Sequence, residues 1–181
     1  MILDDKNQND ILNSELINSY DIEYVFNNKP INRIKTKPKV ENKSKLLENL
    51  KEKISNIDNC ELKNHATQLV FSDGTSESQL MIVGEGPGQK EDELGKPFVG
   101  DAGMLLNKML MAINIDRNKV YITNVIPWRP PNNRTPSNEE ILQCLPFLQK
   151  HIELIKPKLI VLLGAIAAKS VLSTPLGISK L

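Results

Sequence analysis

Three short apolar runs, LMIVGE at 80–85, KVYITNVI at 119–126 and KLIVLLG at 158–164, each lead into a loop and then a stretch with helical spacing. Apolar runs this short and without alternation read as strands buried on both faces, the kind found in parallel sheets. Parallel neighbours need a crossover, and a helix is the usual one. AGMLLNKMLMAI supplies the first, with Asp101 placed as its N-cap. SNEE at 137–140 is a capping box that opens the second, whose one face carries Ile141, Leu145, Leu148, Ile152 and Ile155. Pro146 lies inside that helix and predicts a kink or a split. AIAAKSVL begins a third. Upstream, Leu46, Leu47, Leu50, Ile54 and Ile57 share helical spacing, and QLVFSDG reads as a short strand ending in a turn. The expected fold is a three-layer α/β/α arrangement around a short parallel central sheet.

Residues 1–45 are different in kind. Nine asparagines fall in the first fifty positions, and RIKTKPKVENKSK at 33–45 carries six basic residues against one acid. We read this as an accessory, partly disordered N-terminal segment with a basic linker, joined to an α/β domain over 46–181. NDILNSELINSYDIEYVF within it could form a short amphipathic helix, and the basic run is either a solvated tether or a DNA phosphate contact. The opening MILDDKNQND lacks the basic-then-apolar layout of a secretory signal, and no run of 18 apolar residues is present, so a cytoplasmic protein without membrane attachment is expected. A formal charge of +1 gives no global pull on nucleic acid, which leaves local patches to provide it. Cys60 and Cys144 alone cannot cage a metal and read as reduced thiols. His65 and His151 read as structural.

In an open parallel sheet, ligands bind outside the carboxyl ends of the strands. The loop there, GEGPGQKEDELGKPFVG at 84–100, holds five glycines and two prolines in seventeen residues. Gly84, Gly86 and Gly88 allow a tight turn and a close backbone approach to a ligand. No Gly-Lys-Ser/Thr closes the loop and Pro87 breaks the dinucleotide spacing, so a small-nucleotide module is the weaker reading. Glu85, at the strand tip, either positions a water or caps local amides. Phe98 is either a stacking platform for a flat ligand or a plug that anchors the loop. Asn124, ending the second long strand, offers a donor and an acceptor to a base edge or to neighbouring backbone. WRPPNNRTPS places Arg129 and Arg134 on a stiff loop, suited to phosphate or simply solvated.

Assembled, these motifs resemble the family 4 uracil-DNA glycosylases of the uracil-DNA glycosylase superfamily. The resemblance runs from about Ile57 to Leu172 through GEGPG, EDxxGKPFVGxAGxLL, YITNV, RPPxNRxP, CLPFL and PKLIVLLG. The variant VIPWRPP is similar to a bacterial subgroup also labelled as related to a phage DNA polymerase. The resemblance implies excision of uracil from DNA by hydrolysis of its N-glycosidic bond in base-excision repair, by a monomer acting on uracil-containing DNA. It implies that Glu85 orients the water, Phe98 stacks on uracil, Asn124 reads its polar edge, and amides around Gly86 and Gly88 hold the departing base; Gly84 and Asp92 share the binding loop, and Arg129 and Arg134 face DNA.

Two departures accompany it. The family's four-iron, four-sulfur cluster sits on four cysteines, whereas the matching positions here are Ile57, Cys60, Trp128 and Cys144, so no cofactor is expected and Trp128 is expected to fill the space. The family also continues into another strand and a histidine-containing motif, and the chain reaches Leu181 before either. Two readings stay open: an active glycosylase, with or without a separate C-terminal fragment, or a truncated remnant that at most binds DNA or a partner.

Overall fold

The computed structural model describes residues 42–180; the readings made on the N-terminal segment up to residue 41 lie outside them. Helix α1 spans Lys43–Ser55, starting three residues before the expected Leu46, because the Asn42 side chain accepts from Ser44 N and caps it. Next come α2 (Glu61–His65), β1 (Asp73–Gly74), β2 (Leu80–Gly84), α3 (Gln89–Leu94), α4 (Asp101–Ala112), β3 (Tyr121–Asn124), α5 (Asn138–Ile155), β4 (Leu159–Leu162) and α6 (Ala165–Leu172). The sheet order is β1-β3-β2-β4. β2 runs parallel to β3, with Gly84 opposite Asn124, and parallel to β4, with Ile82 opposite Val161. The strand expected in QLVFSDG shrinks to two residues that pair antiparallel with β3, so the sheet is mixed at that edge.

Alternation along the strands sorts the core into two clusters. Met81, Val83 and Tyr121 face α1, α2 and α5 and pack with Leu50, Ile54, Leu62, Leu148 and Ile155. Ile82 and Ile122 face the other way, onto Leu106 and Leu110 of α4. Those are the two outer layers of the expected three.

Two local expectations need correction and a third is narrowed. Asp101 is the first helical residue of α4 and Gly100 is the cap, although a carboxylate in the first turn still complements the helix dipole. Pro146 does not split α5, which is continuous; the carbonyl deprived of its partner belongs to exposed Leu142, where water can reach it. β4 is not buried on both faces. Leu159 is 59% and Val161 36% exposed, because α4 lies over β2 and β3 and leaves the β4 end of that face bare. The capping box forms as expected, with Glu140 N on Ser137 Oγ at 3.2 Å and Ser137 N on Glu140 Oε2 at 2.7 Å.

Candidate active site

At the carboxyl ends of β2 and β3 a cleft of about 570 Å³ opens, walled by Gly86, Gly88, Glu91, Phe98, Asn124 and Asn133 among others. The parallel register sets Gly84 beside Asn124. A Cβ added to Gly84 would come within 2.6 Å of Asn124 Oδ1 and 2.5 Å of Phe98 Cζ, so only glycine lets the amide and the ring close on the strand tip. Asn124 is 6% exposed, and its Nδ2 is buried without a hydrogen-bond partner among the described residues. A buried amide left without a partner costs roughly 1–3 kcal/mol, a cost a ligand with an acceptor at that point removes.

Phe98 takes left-handed backbone angles, φ +53°, unusual for an aromatic residue. Its neighbours hold it there. Glu91 Oε1 accepts from Val99 N at 2.9 Å and Gly100 N at 2.7 Å, and Glu91 Oε2 accepts from Gly88 N at 3.1 Å. One carboxylate thus ties the Phe98 loop to the glycine loop. Gly103 completes the seat, since a Cβ there would lie 1.9 Å from the Phe98 carbonyl oxygen. Glu91 is not among the site residues expected from the sequence; its spacing three residues after Gly88, at the third position of a short helix, is the capping signal that points to it.

The other expected site residues divide. Gly86 and Gly88 line the cleft, but the Gly88 amide is already taken by Glu91, so it is not a spare donor for a ligand. Glu85 stands half-buried between Gly84 and Gly86, is not among the residues that line the cleft, and has its carbonyl bonded to Ile126 N at 3.1 Å; its carboxylate accepts no hydrogen bond from the described residues. Asp92 does not reach the cleft. It is 3% exposed and its Oδ1 accepts from Thr67 N at 2.9 Å and Gln68 N at 3.3 Å, which pins that segment to α3. Arg134 is likewise occupied, donating Nη1 and Nη2 to the two oxygens of Glu140 at 2.8 and 2.6 Å and holding that carboxyl below its usual range. Arg129 donates Nε to Asn133 Oδ1 at 2.6 Å, on the cleft wall.

Beneath the site, Tyr121 and His151 form a buried pair, hydroxyl to Nδ1 at 2.7 Å, with the Phe71 ring 4.6 Å from the imidazole. Burial lowers the His151 pKa to about 4 and raises that of Tyr121, so both stay neutral at pH 7. The structural reading of His151 holds.

A family model for the uracil DNA glycosylase superfamily matches residues 71–180, which include every strand and the whole cleft. The chain belongs to that superfamily. A type-4 uracil-DNA glycosylase of Pyrobaculum aerophilum is 47% identical over 126 residues, 70% of this chain and 64% of that protein. One of Thermotoga maritima is 46% identical over 125 residues, covering 69% and 65% of the two chains. A DNA polymerase of Bacillus phage SP01 is 30% identical over 109 residues, 60% of this chain but 12% of the polymerase. The glycosylase-superfamily chain thus spans just under two thirds of the length of the curated glycosylases it matches.

The four positions that the family resemblance matches to cluster cysteines lie in or against one core cluster of this superfamily member. Cys60, Trp128 and Cys144 are all within 3% exposure in the cluster under α1 and α5, and Ile57 packs against it. They bring two thiols, an indole and an alkyl chain. An iron–sulfur cluster of that type takes four thiolates, so the residues present do not fit it. Burial, aided by Cys60 and Glu140, pushes the Cys144 thiol up to about 12, the range of an inert packed cysteine. Among the described residues no group of three or more His, Cys, Asp or Glu side chains gathers to hold a metal, and no helix is long and apolar enough to cross a membrane.

Proposed function

We propose that this chain carries the uracil-binding core of a uracil-DNA N-glycosylase, a hydrolase of N-glycosidic bonds in DNA repair. The observation that carries the reading is the buried, unpartnered Nδ2 of Asn124 on the cleft floor beside the Phe98 ring. Uracil presents a carbonyl acceptor next to an N–H donor, which an amide matches with its Nδ2 and Oδ1. Cytosine presents the opposite pair and would leave Nδ2 facing a donor. An extruded base stacks on the cleft side of Phe98, and extrusion is needed because a base must leave the stack before its glycosidic bond is accessible.

Glu85 is the residue we assign to the water that attacks C1′, since it directly follows the strand that ends at Gly84 and no protein donor engages its carboxylate among the described residues. The Gly86 amide, which no hydrogen bond engages among the described residues, is assigned to the departing uracil oxygen. Arg129 is assigned to backbone phosphate. No iron–sulfur cluster takes part in this reading, Trp128 and Ile57 having replaced two of its ligands. The protein acts as a monomer in the cytoplasm on uracil-containing DNA.

The test is excision of uracil from a labelled single-stranded oligonucleotide, with alkali to reveal abasic sites. Cleavage that disappears in Asn124→Ala and Glu85→Ala supports the reading. Absence of cleavage by the unaltered 181-residue chain, both alone and with a C-terminal segment of the relatives added in trans, would sink it.

A further inference from the structure

The Phe98 ring is useful to a flat ligand only if its strained backbone is held, and Glu91 grips only the residues after it. The residue before it, Pro97, is held by a side chain 20 residues further along the chain. Arg117, in the 3-10 turn Arg117–Lys119 that precedes β3, donates Nη2 to the Pro97 carbonyl at 2.7 Å. The same guanidinium donates Nε to Asp73 Oδ2 at 2.9 Å and Nη1 to Asn107 Oδ1 at 2.8 Å. Asp73 belongs to β1, paired with Ile122 in the sheet, and Asn107 to α4. The pair with Asp73 is largely sheltered, the two side chains being 18% and 24% exposed. Three donors of one planar group therefore link the sheet edge, the helix and the carbonyl next to Phe98.

We propose that Arg117 is a positioning residue for the base-stacking wall, acting through Pro97 to keep Phe98 in its left-handed conformation; this rests on the proposed function above. One N–H on each of the three nitrogens is committed to a protein acceptor, which sets the orientation of the guanidinium by the fold rather than by a phosphate. Arginine is required rather than merely a cation. A lysine ammonium is a compact point charge and cannot span three acceptors held at the corners of a fork. Phe98 is then clamped on both sides: Arg117 on the preceding carbonyl and Glu91 on the two following amides.

A double-mutant cycle and a label on the ring test this together. In the otherwise unaltered chain, Arg117→Lys should lower kcat/KM for uracil excision about tenfold or more, whereas in a Phe98→Leu background the same change should cost less than about twofold, since the element it positions is gone. An equal loss in both backgrounds overturns the proposal in favour of a general structural role. Separately, protein labelled with 4-fluorophenylalanine gives ring resonances assignable by single Phe→Leu variants. Arg117→Lys should shift or broaden the Phe98 signal while leaving those of Phe71 and Phe147 in place. This arm needs no catalysis, so it decides the positioning role even where excision itself is not observed. An unmoved Phe98 signal overturns the proposal, and a loss of all dispersion, marking a misfolded variant, is resolved by repeating the measurement with Asp73→Asn, which weakens the same fork from its anchor and should move Phe98 alone.

Discussion

Gly84 and Phe98 touch across the strand tip so closely that the glycine's missing side chain is the space the ring occupies, 2.5 Å separating an added Cβ from Phe98 Cζ. Gly84→Ala should therefore leave the fold in place but push the ring off its seat. Stacking of a base on an aromatic side chain is worth roughly 1–3 kcal/mol, so excision should fall about 10- to 100-fold with a near-normal circular dichroism spectrum. Unchanged kinetics in this variant would mean that the ring is a plug and not a platform.

Asn124 sets stability against activity. Because its buried Nδ2 has no partner, Asn124→Leu should raise the unfolding free energy by about 1 kcal/mol while cutting uracil excision by at least about 10²-fold. Urea titration alongside the oligonucleotide assay measures both. A destabilised variant would show that the amide is satisfied in solution.

Glu91 is the reverse case, a carboxylate whose function is architectural. Three amides lose a charged acceptor in Glu91→Ala, which should cost on the order of 2–4 kcal/mol and loosen both loops around the cleft. Hydrogen exchange at Gly88, Val99 and Gly100 should accelerate first, ahead of exchange in β2 and β3.

His151 gives the fold an acid limit. Its pKa in the folded state is lowered to about 4 by burial, against 6.5 when unfolded, so the unfolded chain binds the extra proton first. The contribution is whole above pH 6.5 and is lost as pH falls from 6.5 towards 4, by on the order of 2–3 kcal/mol. Melting temperature followed across that window should decline, and His151→Gln should flatten the decline while keeping an acceptor for the Tyr121 hydroxyl.

The two cysteines should resist chemistry until the chain opens. Both are buried and the Cys144 thiol is pushed up to about 12, so iodoacetamide at neutral pH should leave the native protein essentially unlabelled and add two groups in denaturant. Rapid native labelling would mean that the packing around Trp128 is looser than its 2% exposure indicates.

Much of this was legible from residue order. Uninterrupted apolar runs gave β2 and β3, and SNEE gave the start of α5, because both signals are local. The strand at QLVFSDG is shorter than its pattern suggests since its pairing depends on β3, whose partner residues lie 47 and 49 positions away and are not reported by local pattern. β4 looked buried because LIVLL is apolar throughout, yet exposure is decided by what lies over it, and α4 does not extend that far. Phe98 and Asn124 stood out by their places at loop and strand end, but the residues alone left each with a plain structural alternative, and the family resemblance was what favoured a site role. Asp92 and Arg134 were not excluded by their sequence, since the amides of Thr67 and Gln68 and the Glu140 carboxylate that occupy them come from elsewhere in the fold or across a turn. Arg117 carried no motif at all; its meaning lies in three acceptors that meet only in space.

The uncovered flank of β4 also governs how the purified protein behaves in the tube. β4 closes one end of the sheet with its outer backbone groups unpaired by any described strand, and Leu159 and Val161 stand bare beside it. Such a border is a template for another strand, including one from a neighbouring molecule. Lys156 and Lys158 guard only its entry, in the manner of gatekeepers. Light scattering should therefore climb with protein concentration at constant pH, and a charged residue in place of Val161 should suppress that rise without touching the cleft.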